Sequence, residues 1–548
     1  MRAWVASVTV TLSLLLPAIG AASGQAPHQH AGPAPQNVGA VTFENTCSPA
    51  VQPGISRGLA LLHSFWYEEV DREFRAAAAK DPRCAIAWWG VAMAQWQPLW
   101  EVRGPGRAAL DRGRQAIEKG QALGTGSARE RAYLAALAHF YINVDSVDHA
   151  ERVRAYEQAM ERLHAQYPGD TEAAVLYAFA LLSSAASHPP DKTYVRQKKA
   201  GELLQPVFRA QPAHPGVAHY IIHAYDYPAL ARGGLDAARR YASLAPDSPH
   251  ALHMPSHIFT RLGLWDEVIT TNRDVVTAAR KHGIIGEALH GSDYQVFGHL
   301  QKNEDDLARG VIDAAPKLSD VPRESTMFFA GLYATAAMPA RYAVERRQWA
   351  EAAGLPDPTG FPGERYAWAD AAIYFARAIG AARSGRVAQA RRDVDTLRTL
   401  HQTLVTHQES YWAVQVEIQR RAAEAWLTLA EGRPDAALEL ARSAADLEDG
   451  TDKHPVTPGA IVPARDLLGQ MLLELDRPRE AFAEFTRVLA SEPNRFGALY
   501  GSARSAERSG ETAKARELYA ALVNLAPRSR RNEVQQARDI LAKKAPPR

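Results

Sequence analysis

Residues 468–527 read LGQMLLELDRPREAFAEFTRVLASEPNRFGALYGSARSAERSGETAKARELYAALVNLAP. Gly469, Leu472, Ala481, Phe485 and Pro493 are followed 34 residues later by Ala503, Ala506, Ala515, Tyr519 and Pro527. Asp476 and Gly510 sit midway and share the spacing. Apolar residues at helical period on both sides of a short turn, closed by a proline, describe a pair of helices. Neither helix buries its apolar face alone, so copies of the unit must stack.

The period and its positions are those of the tetratricopeptide repeat, and the pattern recurs upstream. Residues 425–447 hold two helical runs around Gly432-Arg433-Pro434, and residues 59–82 end in Phe74, Ala77, Asp81 and Pro82. Pro212 and Pro246 are 34 apart, as are Pro215 and Pro249, and the latter two suit the first position of a helix. No alternating β-branched run marks a strand. The expectation is an all-α helical solenoid of stacked antiparallel pairs. Its division is a signal peptide (1–24), a flexible leader (25–46), an N-terminal solenoid (47–345), a helical connector (346–420), C-terminal repeats (421–535) and a basic tail (536–548). Residues 450–463, with four prolines, read as an inserted loop.

Arg2, an apolar run over residues 5–16 and small residues over 18–24 form a secretory signal too short to span a bilayer. A periplasmic or secreted protein without a transmembrane anchor is expected. The net charge of +2 in 548 residues gives no field for nucleic acid. Cys47 and Cys84 are the only cysteines, and an isolated pair in an exported chain is expected to join.

The chemistry concentrates in histidines. His219 and His253 are 34 apart, and so are His223 and His257. Each HxxxH pair shares a helix face. With Pro215 as position 1, Ile221, Ile222 and Tyr225 take core positions, while His219, His223 and Asp226 take positions that line the concave groove of such solenoids. His250, His253 and His257 do the same in the next unit. Two readings follow. One is a metal site for a single transition-metal ion, zinc or copper, with Asp226 as ligand or orienting group. The other is a polar groove that binds a peptide, or histidines bonded to neighbouring turns. Pro255, between His253 and His257, interrupts the backbone ladder and either splays or aims that pair. His290, Asp293 and His63 are secondary candidates, and the dense tryptophans Trp88, Trp89 and Trp96 read as core. No nucleophile elbow, P-loop, HExxH or CxxC is present, so no catalytic residue is assigned.

GLALLHSFWYEE (58–69), DPRCAIAWWGVAM (81–93), HYIIHAYDYP (219–228), HALHMPSHIFTRLG (250–263) and HPVTPG (454–459) together resemble a family of bacterial exported tetratricopeptide-repeat proteins. The resemblance spans nearly the whole mature chain. It implies the fold and the export, and carries over no catalytic residue. The expected function is an exported scaffold whose groove binds an extracytoplasmic protein or peptide. The alternative is a zinc- or copper-dependent protein or enzyme built on the histidine patch.

Overall fold

A computed structural model describes residues 37–99, 104–323, 325, 327–358 and 363–543. The signal segment, His28, His30, most of the leader and the last five residues lie outside them. Among the described residues there are 26 α-helices, four short 3-10 turns and no strand. Successive helices pair antiparallel and stack into a tetratricopeptide-type solenoid. Ala464–Glu474 pairs with Pro478–Ser491, Phe496–Arg508 with Thr512–Leu525, and Asn532–Ala542 closes the stack.

The repeat positions have local causes. Asp476 and Gly510 both turn left-handed, at φ 58° and 80°, the conformation that ends a helix and that Gly and Asp tolerate best. Phe485 lies between Gly469 and Gly501: a Cβ on either would stand 2.8 or 2.3 Å from its ring. Phe74 lies between Gly58 and Gly90 in the same way, at 2.8 and 2.2 Å. In both places the glycines fall 16 residues before and after the phenylalanine. The same wedge of a ring between two helix backbones thus recurs at opposite ends of the chain.

Two expected boundaries move. Val38, Val41 and Phe43, placed in a flexible leader, are buried in the N-terminal core. Arg129 lies over the Phe43 ring and donates to the Glu44 carbonyl. Ala537, placed in the basic tail, is buried on the closing helix. Both segments carry apolar residues that a reading by composition discounts.

The solenoid closes on itself. Trp265 Nε1 donates to the Asn494 carbonyl at 2.9 Å, Phe496 N–H donates to Gln301 Oε1 at 3.0 Å, and Arg531 pairs with Asp305. The loop 450–463 folds inward rather than outward. Tyr294 hydroxyl donates to the Pro455 and Thr457 carbonyls, Arg341 to those of Gly459 and Ala460, and Lys453 reaches Asp226. Helix Ile285–Gln301 runs through the middle, buried on every side from Gly286 onward. No helix among the described residues is long and apolar enough to cross a membrane.

Candidate metal centre

His219 and His223 lie on helix Pro215–Tyr225, which His214 caps by accepting the Val217 N–H. His250 and His253 lie on the short helix Pro249–His253, capped by Ser248. His257 lies on Pro255–Leu262 and His290 on Ile285–Gln301. Pro255 begins its helix at the position where a missing N–H costs nothing, and Met254 before it keeps helical angles (φ −52°, ψ −37°). The path therefore continues, and His253 and His257 stay one turn apart on one face. The proline aims the pair.

The six rings fall into two sets of three, His219, His223 and His250, and His253, His257 and His290, each with candidate ligand atoms within 4.8 Å of one another. In the first set His219 Nε2 stands 3.1 Å from His223 Nε2 and 3.2 Å from His250 Nε2. In the second, His253 Nε2 stands 3.1 Å from His257 Nε2, and the His253 and His290 ring centres are 4.2 Å apart. The His223 and His257 ring centres, one from each set, are 6.5 Å apart. His250, expected beside the two pairs, and His290, a secondary candidate, are thus full members of the two sets. One expected cluster becomes two.

Groups behind the rings fix their tautomers. His219 Nδ1–H donates to the His63 carbonyl at 2.6 Å. His257 Nδ1–H donates at 2.8 Å to Asp226, whose carboxylate also takes Arg261 (2.9 Å) and Lys453 (3.0 Å). Burial alone would raise the Asp226 carboxyl, but Lys453, Arg261 and His257 hold it well below its usual range. It therefore only accepts. His253 Nδ1–H donates to Asn272 Oδ1 at 2.8 Å, because the Asn272 amide nitrogen is already committed to the Val268 carbonyl. With Nδ1 protonated in a neutral ring, Nε2 is a bare lone pair. His253 and His257 consequently point two lone pairs at each other. Burial pushes His223 and His250 down to about 3 and His253 to about 4, and His219, His257 and His290 well below the ordinary range. A proton does not fill that gap at neutral pH.

A metal ion fits it. With metal–nitrogen bonds of about 2.0–2.1 Å, two imidazoles stand roughly 3.3 Å apart at a tetrahedral angle and roughly 2.9 Å at a right angle. The spacings of 3.1 and 3.2 Å fall between. Phe65 covers the first set, with ring centres 4.4, 5.5 and 5.5 Å from His219, His223 and His250. Its backbone is left-handed at φ 56°, a strain on the order of 1 kcal/mol for a bulky residue. His290 Nδ1 is buried without a hydrogen bond, and so is Glu287 Oε1, which lies 3.8 Å from His250 Nδ1.

No family model matches the chain, and no curated protein sequence matches it. Solved helical structures do. A monomeric mutant of IFIT1 with m7Gppp-AAAA is 11% identical, with a TM-score of 0.36 over 85% of this chain and 95% of that one. The human IFIT1 dimer with PPP-AAAA is 10% identical, with a TM-score of 0.35 over 76% and 87%. Naa15/Naa10 bound to HypK-THB is 13% identical, with a TM-score of 0.23 over 89% and 74%. The likeness is to helical proteins, and nothing about ligands or partners follows from it.

The remaining candidates divide by satisfaction. His63 and His214 each donate Nε2–H to Glu172, at 3.0 and 2.7 Å. His63 Nδ1 accepts the Tyr220 hydroxyl at 3.0 Å, and His214 Nδ1 the Val217 N–H. Every nitrogen has its partner, so this cluster is closed and supports His219 from behind. Asp293 faces Arg341 inside the protein, with Oδ1 3.4 Å from Nε, and takes no part in either set. Cys47 and Cys84 are joined to each other.

The histidines are less open than groove positions imply: His219 and His253 are fully buried and His257 nearly so, while His223 and His250 stay partly exposed. Phe65 and the loop 450–463 occupy the space that an isolated repeat would leave open. Asn272, Lys453 and Arg261, which fix the rings, escaped the sequence reading because their contacts come from other helices and from a loop some 200 residues away.

Proposed function

We propose that this chain is an exported metalloprotein that holds two transition-metal ions, one on each three-histidine set, with copper as the metal. The observation that carries this is the His253–His257 pair: two unprotonated nitrogens 3.1 Å apart, each locked by a hydrogen bond at its far side, in a site from which burial excludes a proton. A cation resolves that repulsion. Imidazole suits copper, zinc, nickel and iron, and among the divalent ions copper binds such donors most tightly. Neither set includes a carboxylate, and three protein ligands leave a coordination position open, as in catalytic rather than structural sites. Two copper ions held side by side by these six histidines would supply one-electron redox chemistry, and the function would then be that of an oxidoreductase. Export is supported by the signal-like first residues and by the bridged cysteines. A peptide-binding scaffold would use the same fold, but the inward loop 450–463 leaves it less groove.

The test is metal analysis of the mature protein made without an affinity tag, before and after reloading with copper or zinc. Two equivalents of copper per chain are expected. Failure to retain any ion after both reloadings overturns the proposal.

A further inference from the structure

Three rings present Nε2 to a metal position and hold Nδ1 against an acceptor on the far side: His219 against the His63 carbonyl, His253 against Asn272 and His257 against Asp226. His250 is built in the same order. Its Nε2 faces His219 Nε2 at 3.2 Å, and its Nδ1 lies 3.8 Å from Glu287 Oε1.

Glu287 is an unusual group for this place. It is 2% exposed, and its Oε1 is buried without a hydrogen-bond partner. Leaving a charged oxygen in that state costs stability, so it calls for a reason beyond packing. Burial pushes the carboxyl up only to about 7, so at pH 7.5 most of it is ionised. It stands in the first turn of helix Ile285–Gln301, where backbone N–H groups favour a negative charge. Gly286 fixes that turn in position: a Cβ there would stand 2.5 Å from the Met327 carbonyl oxygen.

The place of Glu287 relates it to both sets. It lies behind His250 of the first, and His290 of the second follows it by three residues on the same helix face. Two copper ions would bring at least two positive charges into this interior. Asp226 does not offset them, because Arg261 and Lys453 already share its carboxylate. Among the described residues no lysine or arginine pairs with Glu287.

We propose that Glu287 is a positioning residue of the metal centre: it accepts Nδ1–H from His250 when the first ion is bound, which holds Nε2 on that ion, and its negative charge favours copper(II) over copper(I). The proposal rests on the metal reading and deepens it. Coulomb attraction scales with the product of the charges, so one carboxylate stabilises the doubly charged ion about twice as strongly as the singly charged one.

The experiment measures the copper(II) and copper(I) affinities of the full mature protein at pH 7.5 by chelator competition, in air and under reductant. Glu287→Gln keeps the shape and removes the charge. It should weaken copper(II) at least tenfold and copper(I) by only about the square root of that factor. Helix content should be unchanged, and the melting temperature of stripped protein unchanged or raised. Glu287→Asp, which keeps the charge, should bind copper(II) at least threefold tighter than the glutamine variant. A merely structural role would weaken both oxidation states alike. Equal weakening, no weakening, or an aspartate variant no better than the glutamine one overturns this proposal and leaves the metal reading standing. Unsubstituted protein that holds copper in neither state overturns both.

Discussion

His253 and His257 face each other Nε2 to Nε2 at 3.1 Å, although Asn272 and Asp226 have already fixed both ring protons on the far nitrogens. Each imidazole is an acceptor with nothing to accept. On the proposed reading a cation lies between them, and this gives the most direct prediction. His290→Gln should remove the ion of the second set and His223→Gln that of the first, each lowering the metal content from two per chain to one. Glutamine is the right replacement because His290 is buried and His223 half-buried, and alanine would open a cavity at a cost of up to several kcal/mol. Metal analysis with circular dichroism checks it. Both ions lost from either variant, or neither, would count against two separate sites.

Acid should destabilise the metal-free protein. Burial first pushes His223, His250 and His454 down to about 3 and His253 to about 4. A depressed pKa means that the unfolded chain binds the proton first. Stability present above about 6.5 is therefore lost as pH falls, by up to about 1.4 kcal/mol per pH unit for each such histidine. Glu287, pushed up by burial to about 7, and Glu448, to about 8, act oppositely: they favour the fold at low pH and lose that contribution as pH rises. Four groups outweigh two. The melting temperature of stripped protein should drop by several degrees from pH 7.5 to pH 5, and bound metal should flatten the profile because it competes with those protons. A flat profile without metal would mean that the rings are hydrated and not buried.

Gly501→Ala should destabilise by about 1–3 kcal/mol, since its Cβ would enter the Phe485 ring, already wedged against Gly469 on the other side. The intrinsic helix gain of about 1 kcal/mol opposes this and loses. Gly310→Ala is the control. Gly310 sits in helix Asp305–Ala314 with open space around it, and alanine there should stabilise by about 0.4–1 kcal/mol. Chemical denaturation of both variants measures the contrast.

Much of this fold was legible in advance because each repeat repeats its causes. Pro478, Asp476 and Gly510 mark helix starts and turns by backbone chemistry alone, and the 34-residue spacing brings His219 near His253 in any stack of this kind. What escaped was the set of contacts made across the closed superhelix. Nothing local in the sequence says that Phe65 covers His219, that Lys453 reaches Asp226, or that His290 on a third helix completes a set. Those facts depend on how far the solenoid curls, which is the sum of many small packing angles. The burial of the histidines escaped for the same reason: groove positions are open only while nothing occupies the groove.

Removing the Cys47–Cys84 bridge should cost roughly 4 kcal/mol on chain-entropy grounds for a 37-residue loop. The bridge ties the segment carrying Val41 and Phe43 to the start of helix Ala85–Trp96. The double variant Cys47→Ser, Cys84→Ser should therefore unfold at lower denaturant and lose amide protection first around residues 38–47. Uniform loss of protection across the chain would place the bridge's effect elsewhere.

Asn272 touches no metal position, yet it decides which nitrogen of His253 is free. Its amide donates to the Val268 carbonyl at 2.8 Å, which turns Oδ1 toward His253 Nδ1. Asn272→Ala removes that acceptor. His253 can then carry its proton on Nε2, where it blocks the ligand position, and the ring is free to tilt. Outer partners of this type typically contribute 10–100-fold to metal affinity. The second ion should weaken by that factor, while the first set, oriented by the His63 carbonyl through His219, keeps its own. Competition with a chelator of known affinity resolves the two ions in turn. Equal weakening of both would mean that Asn272→Ala merely loosened the fold, and Asn272→Gln, which can still offer an oxygen, should then fail to restore binding. Selective loss in the alanine variant with partial recovery in the glutamine variant is the outcome that the tautomer argument requires.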